Sequence, residues 1–234
     1  MDLSIVIPIR NEAAAIEALQ GSLVEVLSQL NLSSEVILCD DDSTDGSNYL
    51  IRTACKEDSR FRLHSMSKHS GQMATLTEGL MIAQGSLLMT LDADLQIHPR
   101  EIPRFVEKIK SGCDFVNGHR TSRAKRSRPR KLASRLTARY LDLLSGQSHV
   151  DWGCGMTAFT RECWGRALET INGKTLTKFD LIASAKCVGC VDVVEEARQT
   201  GSSKYMPLQG CKTLIWYACR ATSSRLRKVF KKPA

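Results

Sequence analysis

Two carboxylates one residue apart, Asp92 and Asp94 in Leu91-Asp92-Ala93-Asp94-Leu95-Gln96, close an apolar stretch that runs from Ser86 to Leu91. At the carboxyl end of a strand, with Pro99 close behind, such a pair can put oxygen ligands on a divalent cation that also carries a diphosphate. Mg2+ suits this, because it takes one or two protein carboxylates and completes its shell with substrate phosphate oxygens and water. An isolated pair of this kind is common by chance and often marks a solvated acidic loop. Here two other polar clusters follow apolar runs in the same manner: Pro8-Ile9-Arg10-Asn11-Glu12 after the first, and Asp40-Asp41-Asp42-Ser43 after the second. Acidic groups gathered at one edge repel one another unless cations or donors offset them, and that repulsion points to a function there.

The elements that must position these groups alternate along the first half. Strands are predicted over Leu3 to Ile9, Glu35 to Asp40, Arg60 to Ser65, Ser86 to Leu91 and Asp114 to Gly118. Helices are predicted over Glu12 to Leu30, Asp45 to Lys56, Gly71 to Gln84 and Pro99 to Lys110. That rhythm predicts an α/β doubly wound sheet, in which ligands bind beyond the carboxyl ends of the strands. The second half is less regular. It reads as a basic loop, a helix near Arg130 to Leu144, a strand near Met156 to Thr160, a helix near Arg161 to Thr170, a strand near Val191 to Val194 and a basic C-terminal helix. With no internal repeat and no low-complexity linker, one compact domain with a basic tail is expected.

Composition narrows the class. The 234 residues are 42% apolar, enough for a substantial core. The N-terminus enters a strand-like run with no basic region or cleavage site before it, so no secretory signal is expected. The apolar run from Leu214 to Cys219 is too short to span a bilayer. Nine cysteines without a framework spacing read as reduced thiols. The close pair Cys187 and Cys190 lacks a second pair that would complete a zinc site.

The net charge of +8 is unevenly placed. His119 to Arg139 carries nine Lys or Arg and no acid, and Ala197 to the C-terminus carries nine more, again with no acid. Such polarity suits a surface that faces anions, phosphates above all.

Taken in order, SIVIPIRNE, EVILCDDDSTDGS, HSGQMATLTEGLMIAQGS, LDADLQIHP and RQTGSSKY resemble family 2 glycosyltransferases, most closely the dolichol-phosphate mannosyltransferase and undecaprenyl-phosphate glycosyltransferase branch. Five motifs in the family's order are far more specific than any one alone. The resemblance implies a GT-A-like (Rossmann-like) mixed sheet, with residues 1–207 as the catalytic domain and 208–234 as a basic amphipathic segment. It implies that Pro8, Arg10 and Glu12 contact the donor nucleotide, with Arg10 standing where an aromatic residue is usual. Asp40 and Asp41 match the pair that reads the nucleoside, and Asp42 takes a place often held by glycine. Asp92, Ala93, Asp94 and Gln96 match the donor segment, with Asp92, Asp94 and Gln96 as ligands of Mg2+ or Mn2+. Arg120 and Arg130 match positions that meet the acceptor phosphate. Arg198 and Lys204 match a clamp on the donor diphosphate, and Asp151 an acidic residue on the acceptor side. The catalytic set implied is Asp94, Arg120, Asp151, Arg198 and Lys204. One departure is Cys190, which replaces a glutamate common eight residues before the late arginine; Glu195 and Glu196 lie nearby but out of step.

Charge alone suggests the chemistry. A sugar nucleotide leaves as a diphosphate whose growing negative charge must be held, by a cation and by groups such as Arg198 and Lys204. A phosphate acceptor carries about −1.5 to −2 at neutral pH and needs no strong base. Together with this charge argument, the family resemblance implies inverting transfer of a sugar from a nucleotide-diphosphate sugar to a polyprenyl (dolichyl or undecaprenyl) phosphate. The alternatives are a family 2 enzyme with a soluble or polysaccharide acceptor, a basic nucleic-acid-binding protein, or a non-catalytic subunit. Nucleic acid is not an expected partner, because the basic runs lack interleaved aromatics or a reading motif. The five histidines 64, 69, 98, 119 and 149 read as surface or loop residues, with His69 and His98 nearest the site. Trp152, Trp164 and Trp216 read as core or interface anchors. The tail mixes Leu214, Ile215, Ala218, Leu226, Val229 and Phe230 with Arg220, Arg225, Arg227, Lys228, Lys231 and Lys232, as an interfacial helix would, and a membrane-protein partner belongs to the same expectation. A cytoplasmic protein peripheral on the anionic cytoplasmic membrane face is expected.

Overall fold

β1 (Leu3–Ile9) sits between β2 (Ser34–Asp40) and β4 (Leu87–Thr90), both parallel to it, and is therefore apolar on both faces. Leu3, Ile5, Ile7 and Ile9 pack on one side with α1 (Ala13–Gln29), while Val6 packs on the other. Each such side chain, fully removed from water, contributes about 1.5–3 kcal/mol. The computed structural model describes residues 1–122, 128–147, 150–171 and 175–196.

The remaining elements are α2 (Ser47–Glu57), β3 (Phe61–Ser65), α3 (Gln72–Ile82), a 3-10 turn (Pro99–Glu101) running into α4 (Ile102–Lys110), β5 (Phe115–Ser122), α5 (Arg128–Ser145), β6 (Thr157–Thr160), α6 (Arg161–Ile171), α7 (Lys178–Ser184) and β7 (Val188–Val194). They build one seven-stranded sheet in the order β3-β2-β1-β4-β6-β5-β7. β6 is antiparallel to both β4 and β5, whereas the other pairs are parallel. The doubly wound mixed sheet expected from the sequence is thus present. Helices α3, α6 and α7 share one face of it, and α1 and α4 the other.

Two local devices bring helices close to the sheet. In α3, a Cβ on Gly79 would lie 2.5 Å from both Cys39 Sγ and Val6 Cγ1, so only glycine lets this helix rest on β1 and β2. In α7, Thr177 and Asp180 form a reciprocal capping box that satisfies the helix start internally. The sequence reading did not anticipate α7, because its seven residues are too few to show helical periodicity. The helix expected near Arg130 to Leu144 is α5, which starts two residues earlier; its second residue is Pro129, and proline is tolerated in a first helical turn, where its missing N–H has no partner to lose.

Trp164 is core, as expected, and Trp152 stacks on Phe179 with ring centroids 6.1 Å apart. The cysteines of the described residues are all free, and burial pushes the Cys39 and Cys163 thiols up to about 12, which keeps them protonated and inert. Arg198, Lys204, His149, Trp216 and the whole 208–234 segment lie outside the described residues.

Candidate active site

The stretch after β4 runs with its residues alternately buried and half-buried. Leu91, Ala93, Leu95, Ile97 and Pro99 are buried, whereas Asp92, Asp94, Gln96 and His98 are half-buried. The apolar set anchors the loop in the core, and Asp92, Asp94 and Gln96 alternate with it as the half-buried positions. Leu95 holds a φ of 55°, and the Asp94 carboxylate accepts the Gln96 N–H at 3.1 Å, which tightens the turn between two of the three side chains.

Asp92 is held from two sides. Gln72, the first residue of α3, donates its side-chain amide to Asp92 Oδ1 at 2.8 Å. On the other side the carboxylate lies against Gly155, where a Cβ would fall 1.8 Å from Asp92 Oδ2. Thr90 donates to the Gly155 carbonyl at 2.9 Å, fixing that backbone to the end of β4. Gln72 and Gly155 lie inside segments read from the sequence, yet nothing there singled them out; only contact with Asp92 gives them a role.

The two nucleotide-side motifs interlock. The Arg10 guanidinium donates to the carbonyls of Asp41 and Asp42, so it braces the exit of β2. Ser43 accepts from the Asn11 N–H at 2.9 Å, Asn11 accepts from the Thr44 N–H at 2.7 Å, and Ser47 accepts from the Glu12 N–H at 3.0 Å. Pro8 lies in β1 opposite Cys39, directly beside this exit. Asp42 adopts a φ of 59°, the left-handed region that glycine enters without strain and aspartate tolerates, which accounts for glycine being common there.

Asp40 and Asp41 are buried carboxylates satisfied by donors. Asp40 accepts from the Ser43 N–H at 3.1 Å and the Asn48 amide at 2.7 Å. Asp41 accepts from the Ser70 and Gly71 N–H groups at 2.7 and 3.0 Å and meets His69 Nδ1 at 2.8 Å. His69 is therefore tied to the site through Asp41. His98, by contrast, caps the 3-10 turn by accepting the Arg100 N–H.

A third group closes the far side. Arg120 is 8% exposed, and each of its guanidinium nitrogens donates to a carboxylate: Nε and Nη2 to Asp151 at 2.8 and 2.9 Å, Nη1 to Glu195 at 2.8 Å. Burial alone would lower the Arg120 pKa, but Asp151 and Glu195 outweigh it and raise it. The β5–β7 register shifts between Arg120 and Ser122, a bulge next to the group the strand presents. Next along β7's exit, the Glu196 N–H donates to the Gln96 carbonyl at 2.8 Å, and its side chain accepts from Arg100. Glu196, the last described residue, thus lies at the edge of the Asp92–Gln96 loop. Glu195 and Glu196, out of step with the family pattern in sequence, have these specific partners. Arg130 lies in α5, and its side chain lies outside the described residues.

Among the described residues, no three His, Cys, Asp or Glu side chains converge to form a complete protein cage for a metal. Asp92, Asp94 and Gln96 offer two carboxylates and an amide, an oxygen-rich partial set. That set fits a hard divalent cation whose shell is completed by substrate phosphate and water.

A model of the family described as "Glycosyl transferase family 2" matches residues 4–165. Among curated proteins, the chain is similar to undecaprenyl-phosphate 4-deoxy-4-formamido-L-arabinose transferases. It is 36% identical to that of Aeromonas hydrophila over 204 residues and 32% identical to that of Proteus mirabilis, in each case over 87% of this chain and 62% of the relative. The chain therefore spans about 62% of the length of these relatives. Among solved structures, glucosyl-3-phosphoglycerate synthase from Mycobacterium tuberculosis, in complex with Mn2+, UDP and glucosyl-3-phosphoglycerate, superposes with a TM-score of 0.67 at 20% identity, over 96% of this chain and 79% of its own. Mannosyl-3-phosphoglycerate synthase from Rubrobacter xylanophilus gives 0.66 at 21%, over 100% and 76%. These likenesses establish the GT-A fold, and the family match over most of the chain establishes its membership: this protein belongs to glycosyl transferase family 2.

Proposed function

We propose that this protein transfers a sugar from a nucleotide-diphosphate sugar to a polyprenyl phosphate, with inversion and with Mg2+ or Mn2+. The observation that carries the reading is the half-buried Asp92, Asp94 and Gln96 in the loop that leaves β4, at the same sheet edge as the interlocked 8–12 and 40–48 segments. Residues 1–207 form the catalytic domain in this reading. The polyprenyl phosphate acceptor is supported by the chain's relatives being undecaprenyl-phosphate sugar transferases.

A bound divalent cation supplies positive charge to the departing diphosphate. Asp92, Asp94 and Gln96 are the residues that hold it. Pro8, Arg10, Glu12, Asp40 and Asp41 shape the nucleoside end, with Arg10 acting as a brace on the β2 exit rather than as a stacking platform. Arg198 and Lys204 clamp the diphosphate. On the acceptor side, Arg120 meets an incoming phosphate by exchanging its single bond to Glu195, while the two bonds to Asp151 keep the guanidinium in plane. Arg130 adds a second positive charge on that side. A phosphate nucleophile already carries its negative charge, so the site requires no dedicated base.

The test is a panel of radiolabelled sugar nucleotides with polyprenyl phosphate and metal, scored for labelled lipid. Transfer is expected with one or a few donors and is lost in Asp94→Ala. Transfer that proceeds equally well without polyprenyl phosphate moves the assignment to a soluble or polysaccharide acceptor, and full metal-dependent activity in Asp94→Ala removes the metal assignment.

Peripheral association with an anionic membrane on the cytoplasmic face belongs to the same reading. No helix among the described residues is long and apolar enough to cross a membrane. A membrane-bound acceptor and the two basic stretches support it.

A further inference from the structure

Lys178 opens α7, one residue after the capping Thr177, and is half-buried. Its ammonium donates to the main-chain carbonyl of Cys154 and, at 3.4 Å, to that of Asp151. Both carbonyls belong to the Asp151–Gly155 turn. That turn is closed internally by the Cys154 N–H on the Asp151 carbonyl at 3.1 Å, and by the Gly153 N–H on the Asp151 carboxylate at 3.2 Å. Its last residue, Gly155, is the surface on which the Asp92 carboxylate rests.

The helix that carries Lys178 is itself fixed to the helix on the opposite flank of Asp92. The capping box rigidifies its start, and the Leu176 N–H donates to Thr77 Oγ1 at 3.1 Å. Thr77 is in α3, whose first residue, Gln72, holds the other oxygen of Asp92. The carboxylate thus lies between α3 and a turn that α7 secures.

We propose that Lys178 is a positioning residue: its ammonium holds the Asp151–Gly155 turn where Gly155 seats Asp92 for the cation. This rests on the metal reading of Asp92 and deepens it. Burial lowers the Lys178 pKa, Cys154, Asp151 and Asp92 oppose that shift, and Arg120 adds to it.

Two roles for this lysine predict opposite signs. Acting only as a charge, it would repel the incoming cation, and its removal would strengthen metal binding. Acting through the turn, its removal lets Asp92 drift and weakens metal binding. UDP, the nucleotide held by a structural neighbour, serves as the probe. Its affinity for the full chain is measured by calorimetry with and without Mn2+, in the wild type, Lys178→Met and Lys178→Arg.

In Lys178→Met the Mn2+-dependent gain in UDP affinity is expected to fall about tenfold, whereas Lys178→Arg, which keeps the donors, should stay within about threefold of wild type. A gain in Lys178→Met equal to or larger than that of the wild type overturns the proposal and leaves the metal reading standing. If Lys178→Met does not fold by circular dichroism, Lys178→Gln is held to the same criterion, since its shorter side chain cannot span both carbonyls. If Mn2+ adds nothing to the affinity of the wild-type protein for UDP or for any other nucleoside diphosphate, the metal reading fails and this proposal with it.

Discussion

Asp92 shows how one carboxylate acquires a function from its neighbours. Its two oxygens face an amide from α3 and the bare Cα of Gly155, so its rotamer is set by contacts from residues 20 positions before it in one case and far along the chain in the other. A methyl group at position 155 would fall 1.8 Å from Asp92 Oδ2, far inside van der Waals contact, and backbone on that side is pinned by Thr90. The side chain of Asp92 must therefore move. Gly155→Ala is expected to reduce metal-dependent transfer by at least about tenfold while the fold persists, because ligand orientation is lost and the core is untouched. Apparent Mn2+ affinity in the transfer assay, with thermal melting as the control, checks this. Unchanged metal dependence would mean that Asp92 is not held where a ligand must be.

Between elements, the site is spanned by ion pairs that the sheet order makes possible. Arg120 of β5 reaches Asp151 in the turn before β6 and Glu195 just past β7, joining three segments at one end of the sheet. Arg120→Met would strand two buried carboxylates, at a cost of about 3–5 kcal/mol, readable as a lower urea midpoint. A second strut lies at the opposite end. Glu35 accepts from Ser4 Oγ at 2.6 Å, from the Gln84 N–H at 2.7 Å and from Arg62. Burial pushes its carboxyl up, but these three donors outweigh it and hold the pKa below the usual glutamate value. The sign follows: with the folded pKa depressed, this contribution is fully present above the unfolded value of about 4.3 and is lost as pH falls through the folded one. Glu35→Gln is expected to lower stability at neutral pH by about 1–3 kcal/mol and to flatten the acid side of a Tm-versus-pH curve. An identical acid limb in the variant would place that sensitivity elsewhere. Motifs ending β1, β2 and β4 were legible because each is contiguous, whereas the Arg120–Asp151–Glu195 group was not, since its members are 31 and 75 residues apart.

For the molecule as a whole, charge segregates sharply along the chain. One basic stretch enters α5, where Leu136, Tyr140 and Leu143 are exposed at a helical spacing, and the other lies outside the described residues. At about 1 kcal/mol for each basic group near an anionic leaflet, even half of the nine in the later stretch would give salt-sensitive attachment. Flotation with anionic liposomes is expected to retain the full chain at low salt and to release a version ending at residue 207. Equal flotation of the two would assign attachment to another surface.

The sequence by itself determined the alternation of strands and helices and the family, because hydrophobic period and short motifs are local properties. Asp92, Asp94 and Gln96 were singled out by the family resemblance of their motif, which is contiguous in the sequence. Only the tertiary structure decided what holds them in place. Gln72, Gly155 and Lys178 come from three separate segments. Their contacts depend on α3 and α7 sharing a face of the sheet and on antiparallel β6 entering beside β4, and no local pattern encodes a distance closed by packing.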